Sequence, residues 1–299
     1  MHIAFLACPE TMPIGTGSGD ERRGDAYEHD LMVAALRPAL EARGGTLTEI
    51  EWRAPAADFA RFDLALLGTA WDYQDHAEAF VARLETIEAG GTVVCNPHEL
   101  VRWNMDKRYL RELAGRGAAT IPTLWMDDAN AADIAAAFDN FDCDRLVVKR
   151  QIGAGAMGQV AFDRADLPAN DWHFGRAAMV QPFLPAIQRE GEVSFVFIGG
   201  ALSHALRKVA ADGDYRIQSL YGGREEVYAP SPSEADAALA ILHMLPGGPP
   251  LYARIDMVRG DDDDLLLMEA EAIEPYLYPE QGPELGERVA EAIERQLGS

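Results

Sequence analysis

Cysteine is scarce in this sequence: Cys8, Cys95 and Cys143 are the only three in 299 residues. They are too few and too scattered for a disulfide framework or a zinc site, so a reducing cytoplasm is expected. No run of 18 apolar residues occurs, and no transmembrane helix is expected. The opening Met1-His2-Ile3-Ala4-Phe5-Leu6 has neither a basic segment nor a long apolar one, so no secretory signal is expected. Positive charge is also in deficit, with 26 Lys and Arg against 49 Asp and Glu, a formal net charge of -23. A chain of that sign repels a polyanion, which excludes broad nucleic-acid binding. ATP stays within reach if magnesium and a few basic side chains neutralise its phosphates locally. Taken alone, the charge reads as solubility. Repeats and low-complexity tracts are absent.

Apolar residues make up 48% of the chain, enough for a sizeable core, and the length suits two packed lobes. In the first third, Ile3-Ala7, Leu47-Trp52, Leu64-Leu67 and Thr92-Val94 read as buried strands. Glu28-Arg43, closed by Gly44-Gly45, and His76-Ala89, closed by Gly90-Gly91, read as helices between them. Pro38 should weaken or kink the first helix. This rhythm predicts a parallel sheet. Asp106-Arg116, ended by Gly117, reads as another helix. Beyond it the pattern turns to hairpins. Val193-Ile198 and Ala201-Lys208 flank the two-residue turn Gly199-Gly200. Leu251-Val258 and Leu265-Glu271 flank Gly260-Asp261-Asp262-Asp263-Asp264, so the acid run reads as a solvated turn. Pro283-Leu297 closes the sequence as a helix.

Two glycine-rich stretches could cradle phosphate. Gly15-Thr16-Gly17-Ser18-Gly19 follows Pro13 rather than a strand, lacks a helix start after it, and reads as a loop. Gly153-Ala154-Gly155-Ala156-Met157-Gly158 follows the strand Leu146-Lys149 and leads into another, Gln159-Phe162. That context excludes a dinucleotide fingerprint, which needs a helix. It fits a flap between two antiparallel strands whose amides fold over nucleotide phosphates, the candidates being Gly153, Gly155 and Gly158.

Neighbouring residues add to the flap. Lys149 ends the strand that leads into it and can meet phosphate oxygens as a point charge; Lys107, at the head of a helix, is a second candidate. Either lysine alone would read as surface charge. Asp256 lies on one strand of the second hairpin, and Glu269 and Glu271 on the other, sharing a face by the two-residue period. Carboxylates beside the apolar run Leu265-Met268 are costly to bury without a cation, and three of them make an oxygen-rich pocket suited to magnesium. The bland alternative is a solvated strand face.

The order Lys107, Lys149, glycine flap, Gln181-Pro182-Phe183-Leu184, Asp256 and Glu269-x-Glu271-x-x-x-Pro275 resembles the ATP-grasp superfamily of carboxylate-amine ligases, nearest its glutathione synthetase-like branch. The resemblance spans residues 97 to 280 and, by its α/β pattern, the N-terminal third. It implies an α/β fold with an N-terminal parallel-sheet domain over 1-105, a small flap-bearing lobe over 106-182 and a C-terminal lobe over 183-299. It implies that Lys107 and Lys149 hold ATP phosphates, that Gln181, Pro182, Phe183 and Leu184 link the lobes and read adenine, and that Glu190 or Glu192 contacts ribose. Asp256, Glu269 and Glu271 would bind two magnesium ions; many relatives carry Asn where Glu271 stands. Arg216 would stabilise the transferred phosphoryl group. His204, Lys208 and Arg254, on strands facing the same region, are expected to contact substrate; a lone His204 also fits a structural role.

The segments Thr69-Ala70-Trp71-Asp72-Tyr73, Asn96-Pro97-His98-Glu99-Leu100 and Phe197-Ile198-Gly199-Gly200-Ala201-Leu202-Ser203-His204 resemble a narrower actinobacterial, ring-closing branch. The implied chemistry is phosphorylation of a small amino-acid carboxylate, then attack by a nitrogen of the same molecule. Rival readings are an intermolecular ligase and a nucleotide-binding module without turnover. A protein kinase is not expected, since no H-R-D or D-F-G segment follows the flap. The expected partner is a small amino acid, with neither nucleic acid nor membrane; a homo-oligomer is left open.

Overall fold

The computed structural model describes residues 1–153, 158–211 and 222–298. Its N-terminal part is a four-stranded parallel sheet of β1 (His2–Ala7), β2 (Thr46–Glu51), β3 (Leu64–Thr69) and β4 (Val93–Cys95), in the order β2-β1-β3-β4. Helix α1 (Tyr27–Glu41) joins β1 to β2, and α2 (Ala77–Ala89) precedes β4. All four strands match the apolar runs, and Pro38 sits inside α1 without ending it. The order reverses between β1 and β3, and ligands of open parallel sheets favour the crevice at the carboxyl ends of such strands. Helices α3 (His98–Asn104) and α4 (Tyr109–Gly115) follow; α4 is shorter than the expected Asp106-Arg116.

The middle of the chain forms an antiparallel sheet in the order β5-β8-β6-β7, from β5 (Leu124–Met126), β6 (Arg145–Arg150), β7 (Val160–Asp163) and β8 (Ala178–Pro182). Helix α5 (Ala131–Phe141) covers it, burying Ile134, Ala137 and Phe138 against Leu146, Val148 and Val180. A capping box of Asn130 and Asp133 starts α5. The pairing Val148↔Val160 places the glycine-rich segment between two antiparallel strands, as expected for a flap.

A short α6 (Ala186–Arg189) leads to the third, antiparallel sheet, ordered β11-β10-β9-β12-β13. Its strands are β9 (Glu192–Ile198), β10 (Ala201–Val209), β11 (Arg224–Tyr228), β12 (Tyr252–Arg259) and β13 (Leu265–Glu271). Both predicted hairpins, β9–β10 and β12–β13, are present, and Asp261 to Asp264 form an exposed turn. Helix α7 (Pro232–His243) packs Ala238, Ile241 and Leu242 on this sheet. The last helix, α8 (Leu285–Gly298), returns to α1, burying Leu285, Val289, Ala290 and Ile293 in the N-terminal core. The two helices meet so closely that a Cβ on Gly286 would stand 2.0 Å from the Ala35 carbonyl oxygen.

The outer edge of β13 is covered. Asn104 donates to the Ala270 carbonyl at 2.7 Å and accepts from the Ala272 amide at 2.8 Å. Tyr109 Oη accepts from the Ala270 amide at 2.9 Å, and Leu267 bridges to Thr120. Asn96 donates to Tyr252 and Ala272 carbonyls and accepts from the Leu251 amide. Edge groups left open would template pairing with another chain. Here they hold the strand carrying Glu269 and Glu271 in one register against the preceding helices.

Candidate active site

Strand register builds the site. Arg254 pairs with Glu271 and Asp256 with Glu269, so one mixed-charge pair and one acidic pair meet on one face of the β12–β13 hairpin. On the other side of β12, Asp256 pairs with Ser194 of β9, and Lys208 of β10 pairs with Glu192. The result is a buried chain of alternating charge. Arg254 donates to both Asp256 oxygens at 2.9–3.0 Å and to Glu271. Ser194 Oγ donates to Asp256 Oδ1 at 2.5 Å. Lys208 pairs with Glu192 and lies 3.5 Å from Asp256 Oδ2. Tyr278 closes one side, its ring 5.5 Å from the Arg254 guanidinium and 5.8 Å from Lys208 Nζ. Tyr278 adopts φ 50, a region non-glycine residues rarely occupy and which recurs at functional sites.

Electrostatics follow from this packing. Burial works against the Asp256 carboxylate, but Arg254 and Lys208 outweigh it and hold the group down to about 2. Burial pushes Glu271 up to about 8, against the pull of Arg254 and with Glu269 and Asp256 adding repulsion.

The flap side supplies further cations. Lys107 Nζ lies 2.7 Å from Glu269 Oε1 and also donates to the Gly153 carbonyl. Lys149, at the end of β6, is lowered from its ordinary range by burial and makes no hydrogen bond or ion pair among the described residues. Its neighbours Glu269, Glu192 and Lys107 act on it through space. Gly158 has φ 70, which favours glycine, and a Cβ there would come 3.1 Å from Arg150 Nε.

Several expectations are modified. His204 is not in this cluster: its ring bonds to the Leu277 carbonyl at 3.0 Å and Ser203 Oγ at 3.1 Å, and it lies against Gly282. Burial lowers it to about 4, so it is a neutral, structural residue. The strand expected over Gln181 to Leu184 stops at Pro182. Gln181 is buried and donates to Thr123 Oγ1 at 2.9 Å, the Phe183 amide bonds the Arg145 carbonyl, and Leu184 packs with Ile121 and Val258. Glu192 is committed to Lys208 inside the sheet, whereas Glu190 lies at the α6–β9 turn, 3.0 Å from Arg259 Nε. Asp256, Glu269 and Glu271 each turn to a basic side chain instead of closing on one point. Gly155 and Arg216 lie outside the described residues.

Residues 3–96 match the family described as D-cycloserine synthetase DcsG, N-terminal domain. The chain is 29% identical to the cycloserine biosynthesis protein DcsG of Streptomyces lavendulae over 285 residues, 90% of this chain and 94% of that protein. A crystal structure of D-cycloserine synthetase DcsG superposes with a TM-score of 0.78 at 24% identity, covering 99% and 100% of the two chains. The Bacillus anthracis D-alanine–D-alanine ligase complexed with ATP superposes at 0.67 and 17% identity, covering 99% and 97%. The chain has the ATP-grasp fold.

The ATP-grasp ligase PsnB complexed with a precursor variant, Mg and ADP superposes at 0.66 and 16% identity, covering 99% and 98%. The residues present fit such ligands. Asp256, Glu269 and Glu271 offer oxygen donors of the kind magnesium takes, and Lys149, without a partner among the described residues, suits a phosphate. No described helix is long and apolar enough to cross a membrane. Sequence reading missed Ser194, Asn104, Tyr109 and Tyr278. Asn104 carries a weak signal, a poor helix former ending a helix just before Lys107; the others carry none.

Proposed function

We propose that this chain uses MgATP to phosphorylate the carboxylate of a small amino acid and then closes a ring, converting O-ureido-D-serine to D-cycloserine. The carrying observation is that Asp256 and Glu269 face each other across the β12–β13 hairpin, next to Glu271, with Lys107 on Glu269 and Lys149 at the end of β6 nearby, on a chain related along its length to a cycloserine biosynthesis protein. In this reading residues 1-105 form the substrate side, 106-182 the flap lobe and 183-299 the metal lobe. Glu190, the more open of the two candidates, serves the ribose.

A carboxylate oxygen attacks the γ-phosphorus, the bond to the β-phosphate oxygen breaks, and ADP and an acyl phosphate result. Bound magnesium would supply charge neutralisation for the transferring group. Lys149 and Lys107 hold phosphate oxygens as point charges, and the glycine flap excludes water that would hydrolyse the acyl phosphate. Arg254, locked by Asp256 and Glu271, and Lys208, locked by Glu192, present fixed positive charge at the substrate end. The ureido nitrogen bonded to oxygen then attacks the acyl carbon, releasing phosphate; five-membered closure gains from intramolecularity. One water removes the carbamoyl group as carbon dioxide and ammonia.

The test is ADP release and product mass on mixing the protein with MgATP and O-ureido-D-serine, with and without added amino acids. D-cycloserine formed without an added amine is the expected result. A product found only with a second amino acid would make the chain an intermolecular ligase. Absence of ADP with every amino-acid carboxylate would leave a binding module.

A further inference from the structure

Three residues beyond Glu271, the chain buries a carboxyl group that the proposed chemistry leaves unused. Glu274 is 8% exposed, and among the described residues the one hydrogen bond its carboxyl makes is to its own backbone amide. Its backbone is fixed, because Trp71 Nε1 donates to the Glu274 carbonyl at 3.1 Å. Trp71 and Tyr73 belong to the loop after β3, at the carboxyl ends of the parallel strands, where open α/β sheets receive ligands. The charges acting on Glu274 are those of the site, Glu271, Lys107 and Glu269, and it is the foremost charged neighbour of the buried Tyr73 phenol. The residue therefore stands between the loop after β3 and the strand that carries Glu269 and Glu271.

Burial raises this carboxyl well above the ordinary glutamate range, and a buried carboxyl with no partner among the described residues beyond its own amide is costly unless a ligand completes it. An acceptor next to the loop that carries Trp71 and Tyr73, and near further carboxylates, suits a small cation. We infer that Glu274 receives the α-ammonium group of the amino-acid substrate, in the functional reading given above. The distance in sequence is short: Glu271 faces the phosphate end and Glu274 the crevice, so one segment holds both ends of the amino acid. Substrates without the amine would leave the carboxyl unpaired and be rejected. Glu274 is a specificity-determining residue in this assignment.

The test uses the full chain and the isosteric variant Glu274→Gln. The KM for O-ureido-D-serine should rise about tenfold or more, because a charge-assisted contact is lost. The dissociation constant of a non-hydrolysable ATP analogue should stay within about twofold, since uniform loss of fold would move both. The decisive readout compares O-ureido-D-serine with its des-amino analogue. Wild type should prefer the amine by about 100-fold or more in kcat/KM, and the variant should lose most of that preference. Where the glutamine variant does not fold, Glu274→Met, which suits a buried wall, gives the same comparison. Wild-type turnover of O-ureido-D-serine with an unchanged KM and preference in the variant overturns the assignment alone. A wild-type protein that forms ADP only with amine-free carboxylates, or with no carboxylate, overturns it together with the function it rests on.

Discussion

Lys107 stands 2.7 Å from a Glu269 oxygen while its backbone amide donates to the Gln151 carbonyl at 2.9 Å, so one residue touches both the carboxylate strand and the mouth of the flap. A nucleotide binding between them would meet Lys107 from either side. Its pairing with Glu269 holds the lysine in the site until phosphates compete for it.

Glu269→Gln tests the metal strand. The amide keeps the shape but loses the charge that suits a divalent ion. Turnover at limiting magnesium should fall about 100-fold or more, with partial recovery as magnesium is raised. Near wild-type ADP formation at limiting magnesium would remove Glu269 from the metal ligands.

Lys149→Met tests the flap side. Lys149 is half-buried without a partner among the described residues, so it adds little to the folded state. The variant should bind a non-hydrolysable ATP analogue about tenfold more weakly or worse, while its melting temperature stays level or rises. Unchanged affinity would make Lys149 a bystander.

Asp256→Asn should act on stability as well as activity. Asp256 is the shared partner of buried Arg254 and Lys208, and removing its charge leaves two buried cations with only Glu271 and Glu192 to offset them. Breaking a buried pair in this way costs about 3–5 kcal/mol, readable as a shifted urea midpoint. Replacing the carboxylate by an amide at no cost would mean that Glu271 and Glu192 suffice for both cations.

The hairpins and the flap were legible in the sequence because each is local: Gly199-Gly200 joins β9 to β10, and the glycine run joins β6 to β7. The parallel sheet was legible from its apolar runs. Helices α5 and α7 were not read, although Asn130 with Asp133 and Ser231 with Glu234 are capping pairs at the standard spacing. Periodicity marks long helices more strongly than caps do, and α5 and α7 are short and rich in alanine. At the site, residue types pointed to Lys107, Lys149 and the acidic hairpin. What stayed hidden was partnership. Asp256 meets Ser194 across 62 positions and Asn104 meets Ala270 across 166, and no local pattern encodes such pairs. His204 was misplaced for the same reason, since the Leu277 carbonyl that engages it lies 73 positions away.

Glu234 sets an acid dependence. Its carboxyl accepts from the Ser231 amide at 2.8 Å, from Arg259 at 2.7 Å and from the Tyr228 hydroxyl at 2.9 Å. Burial opposes ionisation, but these donors outweigh it and lower the group to about 2. A carboxyl lower in the folded than in the unfolded chain stabilises the fold fully above the ordinary glutamate value of about 4.3, and that contribution fades as pH falls from there through about 2. Wild type should therefore exceed Glu234→Gln in urea midpoint at pH 7, and the gap should narrow by pH 3. A gap of equal size at both pH values would mean that the charge of Glu234 contributes nothing beyond its shape.

The packing of α8 on α1 bears on how the protein is made. The N-terminal sheet leaves the ribosome first, yet the surface formed by Leu36, Ala39 and Leu40 is covered by Leu285, Val289 and Ile293 at the far end of the chain. Until those last residues are synthesised, the first-made unit shows an unfinished apolar face, the kind of surface on which nascent chains aggregate or recruit chaperones. The helix is thus a clasp on a unit made long before it, and its loss would cost the parallel sheet its shelter as well.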